Sequence, residues 1–208
     1  MTSGMKLFCL ILLSVTMVAA AAPAADVAPA EPAPSATIQA LCDALISAMK
    51  QGRALGFAGR RTLLEPVVRR ALDLPLMTRL ALGPPWRTLT PEQQAQLVEA
   101  FSDYSIATYA NRFSDYSGER FTVDPSASRL ANGDVIVHSS LVTKDPEPVR
   151  LDYLMRAHAG DWQVIDVYLS GTISQLASYR SEFSSVVHTG GAPALIGLLK
   201  KKTADLSE

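Results

Sequence analysis

The chain has 208 residues, of which 48% are hydrophobic, 19% charged and 7% aromatic. This is the composition of one ordinary soluble domain, and it excludes a disordered or collagen-like protein. Because 19 basic and 20 acidic residues leave a net charge of −1, no global excess of positive charge favours nucleic acid or an anionic membrane surface as a partner.

The N-terminus has the pattern of a cleaved secretory signal peptide, predicted over residues 1–24. Lys6 precedes an apolar run over residues 7–18, and small residues with Ala-x-Ala choices such as Ala22-Pro23-Ala24 follow it. The run is shorter than the ~20 apolar residues of a membrane-spanning helix, which favours cleavage over an uncleaved anchor. Residues 25–37 are rich in Ala and Pro and are predicted to form a disordered tether, because they bury too little apolar area to become ordered.

The two cysteines exclude an internal disulfide from the mature chain. Cys9 lies near the start of the apolar run and would leave with the signal peptide, so that Cys42 remains alone. Cys42 is surrounded in sequence by apolar residues, which favours a buried and inert thiol over a reactive one. The stability of the domain is therefore expected to come from packing.

Helical spacing dominates the first half of the mature chain. Helices are predicted over residues 38–50, 62–71 and 74–82, with Gly52, Gly56 and Gly59 interrupting the pattern between the first two. Thr90 then offers an N-cap hydroxyl, followed by Pro91 at the first helical position and Gln93 three residues after the cap. A long helix is predicted to start there and to end before Gly118, with an aromatic stripe formed by Tyr109, Phe113 and Tyr116.

From Glu119 onward the hydrophobic period changes to two, which predicts strands. Four of them are expected, around residues 121–123, 135–141, 149–155 and 162–169. The breaks between them are short turns with no room for crossover helices, so the sheet should be an antiparallel meander. Two helices are predicted to close the chain, over residues 173–188, with Thr172 and Gln175 as a capping box, and over residues 194–203.

These elements define an α+β fold, with a four-stranded antiparallel sheet packed against several helices in a single domain over residues 38–206. No phosphate-binding, dinucleotide-binding, zinc-protease or nucleophile-elbow motif occurs in the sequence. His138, His158 and His188 lack metal-ligand spacing. Asp152 and Asp166 lie on neighbouring predicted strands, and solvated positions on the sheet explain them better than an acid–base pair. The sequence therefore predicts no catalytic residue, no metal and no cofactor.

Charge is unevenly distributed along the chain. Residues 38–90 hold eight basic and three acidic side chains, a balance of +5, whereas residues 91–170 hold six basic and twelve acidic ones, a balance of −6. Two faces of opposite sign could serve different partners, but arginines solvating exposed helices are the simpler explanation.

Two long sequence blocks combine several characteristic residues. The first is LGPPWRTLTPEQ at residues 82–93, followed by YA at 109–110 and YSGE at 116–119, and the second is DWQVIDV at 161–167 with YRSEF at 179–183. In their order and separation these blocks resemble the MlaC family of phospholipid-binding proteins, also called the toluene-tolerance auxiliary family. The sequence from LDLP at 72–75 through LALG at 80–83 is most similar to the hopanoid-associated HpnM branch.

The resemblance implies a periplasmic lipid carrier that works with an ABC transporter and an MCE-domain protein at the inner membrane, and with an outer-membrane complex. Such a carrier would move phospholipid or hopanoid-like lipid between the membranes and maintain the lipid asymmetry of the outer membrane. Its fold would be a cone of the NTF2 or cystatin type that encloses an acyl-chain cavity. Candidate lipid-binding residues combine the aromatic stripe with inward-facing strand positions: Tyr109, Phe113, Tyr116, Leu151, Tyr153, Met155, Trp162, Val164 and Val167.

Two other classes of function remain open at this point. A periplasmic NTF2-like enzyme acting on a small apolar substrate would have a pocket with a partnered His or Asp of perturbed pKa. An adaptor that binds only proteins would have a filled core and an exposed apolar patch. A carrier would have a deep apolar cavity, and Val164→Glu should then lose lipid while the protein stays folded. Tyr179 is expected to act as a structural brace.

Overall fold

The computed structural model describes residues 33–207, which form five α-helices, one 3₁₀ helix and five strands. The elements within this range are α1 (Pro34–Lys50), α2 (Gly52–Ala71), α3 (Leu74–Leu82), the 3₁₀ turn Pro84–Thr88, α4 (Pro91–Arg112), β1 (Arg120–Arg129), β2 (Val135–Val142), β3 (Val149–His158), β4 (Asp161–Leu169), β5 (Ile173–Ser174) and α5 (Gln175–Asp205). The predicted signal peptide and most of the predicted tether lie outside the described residues. Helix α1 begins at Pro34, before the tether was expected to end, because proline fits the first turn of a helix.

The helices keep the predicted order but differ in their ends. The capping box at the start of α4 is confirmed, with the Gln93 amide donating to Thr90 Oγ1 at 3.3 Å and the Thr90 amide donating to Gln93 Oε1 at 3.1 Å. The prediction that α4 continues to Gly118 is wrong, because Phe113 leaves the helical region with φ −104° and ψ 58°. Helix α2 runs through Gly59 and has a kink at Gly56, whose φ is +60°.

The sheet is an antiparallel meander in the order β1-β2-β3-β4-β5, as the short turns predicted. It has one strand more than the four expected, because residues 173–174 pair with the end of β4. The predicted helix start at residue 173 is therefore wrong. Ser174 is the N-cap of α5, and its hydroxyl accepts a hydrogen bond from the Ala177 amide at 2.9 Å. The two predicted closing helices form the two arms of α5, which bends at Gly191 with φ +67°.

The core lies between the helices and one face of the sheet. Phe101 of α4 is fully buried and meets two rings of α5 edge to face, Tyr179 at a centroid distance of 5.3 Å and Phe183 at 6.0 Å. These contacts join α4 to the first arm of α5 over the sheet. Within residues 33–207, no helix combines the length and the apolar character that a membrane span requires.

The two faces of the sheet differ in chemistry because neighbouring residues on a strand point in opposite directions. On β3, Leu151 and Tyr153 face the helices, and cross-strand pairing places them beside Leu169 and Val167 of β4. Asp152, between them, faces the other side of the sheet. In the strand register it lies opposite His138 of β2 and Tyr168 of β4. We call the helix-covered side the inner face and the other side the outer face.

Candidate functional site

An apolar cavity of about 180 Å³ lies between the inner face of the sheet and helix α4. Three strands supply one wall through inward-facing apolar side chains, which are Leu141, Val149, Leu151, Tyr153, Val167 and Leu169. Helices α3, α4 and α5, with the residues that directly follow α2 and α4, supply the other wall through Leu72, Met77, Ser105, Thr108, Tyr109, Arg112, Phe113, Gln175 and Tyr179. The cavity thus forms where the two-residue period of the strands faces the aromatic side of α4.

Five of the nine predicted lipid-binding residues meet around this cavity. They come from the end of α4 and from the inner face of β3 and β4: Tyr109, Phe113, Leu151, Tyr153 and Val167. The rings of Tyr109 and Phe113 are stacked, with centroids 6.0 Å apart, and together form one side of the cavity. Their role in lipid binding remains a prediction, which requires that these residues lie around one cavity, as they do.

The other four predicted residues lie elsewhere. Tyr116 is in the loop after α4, 42% exposed, with the Lys50 ammonium 5.2 Å from its ring centre, because the helix that would have carried it inward ends at Arg112. Met155 and Val164 face each other across β3 and β4 and are fully buried in the core. Trp162 borders a different surface hollow, formed with residues of α1 and α2.

The sequence analysis missed several lining residues. Leu141, Val149 and Leu169 follow the same alternation as the predicted strand residues, so the period-two pattern could have found them. Tyr179, expected to be a brace, does pack against Phe101, and it also lines the cavity. Arg112 had no comparable signal, because the predicted helix end was several residues too late.

The hydroxyl and thiol groups beside the cavity are neutral at ordinary pH. Burial raises the pKa of Tyr109 to about 12, and it raises the pKa of Tyr153 and of Tyr179 well above the usual value for tyrosine. Burial also raises the pKa of the Cys42 thiol, which contacts the Tyr153 hydroxyl, to about 12. Apolar carbon and protonated hydroxyl groups make up most of the wall, and such a wall suits a hydrocarbon ligand.

The partnered histidine that an enzyme would need lies on the outer face. His138 Nδ1 is 2.9 Å from Asp152 Oδ1, and Arg150 Nη2 is 2.8 Å from Asp152 Oδ2. Ser128 Oγ is 3.2 Å from His138 Nε2, which completes the order of groups found in serine hydrolases. Ser128 and Arg150 are exposed, and this cluster lies on the side of the sheet away from the cavity.

The interpretation of Asp152 and Asp166 as solvated residues is wrong, because both are buried, with exposed fractions of 5% and 4%. Asp166 accepts hydrogen bonds from the Ser174 hydroxyl at 2.6 Å and from the Leu176 amide at 3.0 Å, so it anchors the start of α5. Asp152 has a separate set of partners on β2 and β3. Within residues 33–207, no three His, Cys, Asp or Glu side chains converge as a metal site would require.

The opposite charges of the two halves of the sequence meet between α2 and α4. Arg61 pairs with Asp103 at 2.6 Å, and Arg69 pairs with Glu99 at 2.9 Å as well as with Glu65 of its own helix. The basic excess of residues 38–90 is thus partly neutralised within the fold. These arginines join two helices rather than only solvating them.

Comparison with known proteins agrees with this geometry. The MlaC protein family model matches residues 39–201. The structure is similar to that of the phospholipid-binding protein from Ralstonia solanacearum, solved in complex with a phospholipid, with a TM-score of 0.74 and 26% sequence identity. That similarity covers 85% of this chain and 100% of the Ralstonia chain. A family match over most of the sequence, together with the α+β fold and its apolar cavity, shows that the chain belongs to the MlaC family.

Proposed function

We propose that this protein is a periplasmic lipid carrier that holds the apolar tail of a phospholipid or hopanoid-like lipid in the cavity between α4 and the sheet. The carrier would exchange lipid with an inner-membrane MCE-domain protein and its ABC transporter, and with a complex at the outer membrane. The observation that carries the proposal is the apolar cavity, whose tyrosine hydroxyl groups stay protonated, in a chain of the MlaC family. The phospholipid bound by the Ralstonia relative supports the ligand class.

The energetics of such a carrier follow from the hydrophobic effect. Each CH₂ group moved from water into an apolar environment gains about 0.8 kcal/mol, so one long acyl chain would cost on the order of 10 kcal/mol to expose during transit. A protein cavity removes that cost. Because the membrane buries the chain equally well, binding provides no direction, and the sequence has no nucleotide-binding motif. Directional transport would therefore depend on energy supplied by a partner.

The volume of the cavity implies that its walls move when lipid enters. A volume of about 180 Å³ is close to the ~150 Å³ of an engineered cavity that holds one benzene molecule. Pockets for larger ligands span roughly 300–1,000 Å³. An acyl chain would therefore need α4 and the first arm of α5 to move away from β3 and β4. Since Phe101 and Tyr179 pack these two helices together, we expect them to move as one unit.

The proposal is tested on the processed protein isolated from its own periplasm without detergent, by native mass spectrometry with lipid extraction. The wild-type protein should carry one lipid per chain. Val167→Trp, which fills the cavity, should yield a folded protein without lipid. The matched control Tyr168→Trp changes the next residue of the same strand, on the outer face, and should keep its lipid.

Three outcomes would count against the carrier. A wild-type protein that stays empty after incubation with liposomes would reject lipid binding. Conversion of the added lipid into a new product would favour the enzyme instead. Equal lipid content in folded Val167→Trp and in the wild-type protein would place the lipid outside the cavity.

A further inference from the structure

An arginine without an acidic partner lies at the rim of the cavity. Arg112 is the last residue of α4, and its side chain lines the apolar cavity although the residue itself is exposed. Among the described residues, no carboxylate lies within 4.0 Å of its guanidinium group, whereas other arginines of α2 and β3, such as Arg61 and Arg156, are paired. A cation at the opening of a hydrocarbon site is a feature that an apolar ligand alone does not explain.

The usual structural role of such a cation is already filled by another residue. Basic side chains near the end of a helix often satisfy its last carbonyl groups. Here the buried Arg60 performs this role, donating from Nε to the Ala110 carbonyl at 2.7 Å and from Nη1 to the Gly52 carbonyl at 2.8 Å. Arg60 thus caps one carbonyl at the end of α4 and ties it to the start of α2. Among the described residues the Arg112 guanidinium group makes neither a hydrogen bond nor an ion pair that a ligand would have to break.

A second polar side chain lies at the same cavity. Gln175, the first residue of α5, is half-buried and is one of the lining residues. Its amide group offers hydrogen-bond donors. With an acyl chain in the apolar part of the cavity, the first polar atoms of a glycerolipid would emerge where these two side chains lie. A guanidinium group binds phosphate oxygens through two parallel hydrogen bonds.

We propose that Arg112, assisted by Gln175, binds the phosphate group of the lipid and makes the carrier selective for phosphate-bearing lipids over neutral ones. The inference rests on the proposed carrier function and deepens it. It favours a glycerophospholipid over a hopanoid-like lipid without phosphate, because such a lipid would leave the guanidinium group without an anion.

The test is a competition between two lipids that differ only in the phosphate group. Delipidated full-length mature protein is incubated with an equimolar mixture of phosphatidic acid and diacylglycerol with identical acyl chains, and bound lipid is counted by native mass spectrometry. The wild-type protein should prefer phosphatidic acid at least about tenfold, the effect of one charged hydrogen bond. Arg112→Gln should reduce the preference to about threefold or less. Arg112→Lys should show a preference between those of the wild-type protein and Arg112→Gln, because lysine keeps the positive charge but cannot donate two parallel hydrogen bonds to the phosphate.

Arg79→Gln is the matched control, since Arg79 is an exposed arginine in the last turn of α3 and does not line the cavity. It should keep the wild-type preference. Thermal unfolding of all three variants shows that the lipid binds to folded protein in each case. Equal binding of both lipids by the wild-type protein, or an unchanged preference in Arg112→Gln, would overturn the inference and leave the carrier function intact. Binding of neither lipid would instead reject the carrier function.

Discussion

The inner and outer faces of the sheet have opposite chemistry although the same strands form them. On the inner face, Leu151 and Tyr153 contribute to an apolar cavity whose hydroxyl groups stay protonated. On the outer face, Asp152, which lies between them in sequence, binds His138 and Arg150. Because side chains alternate between the two faces, one strand contributes both to the ligand cavity and to a cluster of charged groups that stabilises the fold. Substitutions on the two faces should therefore affect different properties.

The largest effect is expected from a substitution where the inner face lies in the core and not at the cavity. Val164→Glu places a carboxylate at a fully buried position, and it should unfold the protein, because an unpaired buried charge costs several kcal/mol of a total stability of about 5–15 kcal/mol. The earlier expectation that this variant stays folded conflicts with the observed burial. Circular dichroism and thermal unfolding measure the result, and a native-like Tm would contradict it.

Val167→Glu is the matched variant, three residues along the same strand. Val167 is half-buried at the cavity, where a carboxylate can reach water at the opening. We expect a folded protein whose Tm is lowered by a few degrees and whose lipid content falls at least about tenfold, since the acyl chain would have to pack against a charge. Lipid extraction quantifies the loss, and full lipid content would show that Val167 is not part of the site.

A smaller effect is expected from the outer face. Asp152→Ala removes the shared acceptor of His138 and Arg150, and it should lower the free energy of unfolding by about 2 kcal/mol in urea titrations. Lipid content should stay at the wild-type level, because no atom of this cluster lines the cavity. A loss of lipid in a folded Asp152→Ala protein would mean that the two faces are coupled.

The outer face should also determine the response to acid. Burial raises the pKa of Asp152, but its bonds to Arg150 and His138 outweigh burial and hold it below the usual 3.8; hydrogen bonds from Arg156 likewise lower the pKa of Asp134. Their stabilisation is complete above the unfolded value of 3.8 and is lost as pH falls through the lower folded values. Unfolding titrations between pH 5 and roughly 2 should therefore show a falling stability, with a smaller slope in Asp152→Asn.

The smallest effect concerns the thiol behind the cavity wall and leaves stability unchanged. Burial raises the pKa of Cys42 to about 12, so at pH 8 its thiolate fraction should be about a thousandfold lower than in an unfolded chain. A thiol reagent such as Ellman's should react slowly with the folded protein and at once in denaturant. Rapid reaction of the folded protein would show that water reaches this side of the cavity wall.

Sequence alone predicted most of the fold because strong local signals coincide with the tertiary structure. The period-two runs became β1 to β4, and the capping box at Thr90 marks the start of α4. The failures lie where contacts distant in sequence decide the structure. Residues 173–174 became strand because they pair with β4, and Asp166 then fixes the start of α5 through the Leu176 amide.

The site was less predictable than the fold. Val164 and Val167 were both selected from the last apolar run, but they share the inner face only because the register between β3 and β4 shifts between Leu154 and Met155. The sequence could not show this shift, nor which of the two lies under the core and which borders a void. That difference depends on how closely the helices approach each part of the sheet. The prediction that Tyr116 lines the cavity failed for another reason, because the helix that would align Tyr116 with Tyr109 ends at Arg112.

The central claim, that the acyl chain lies on the inner face under α4, is tested most directly by photo-crosslinking. A phosphatidylglycerol with a diazirine in the middle of one acyl chain is loaded into the wild-type protein, and the crosslinked residues are mapped by mass spectrometry. Crosslinks should fall on α4 near Tyr109 and on the inward positions Leu151 and Val167. Crosslinks concentrated on the outward residues Ile136 and Leu154, which pair across the other side of the sheet, would contradict the account.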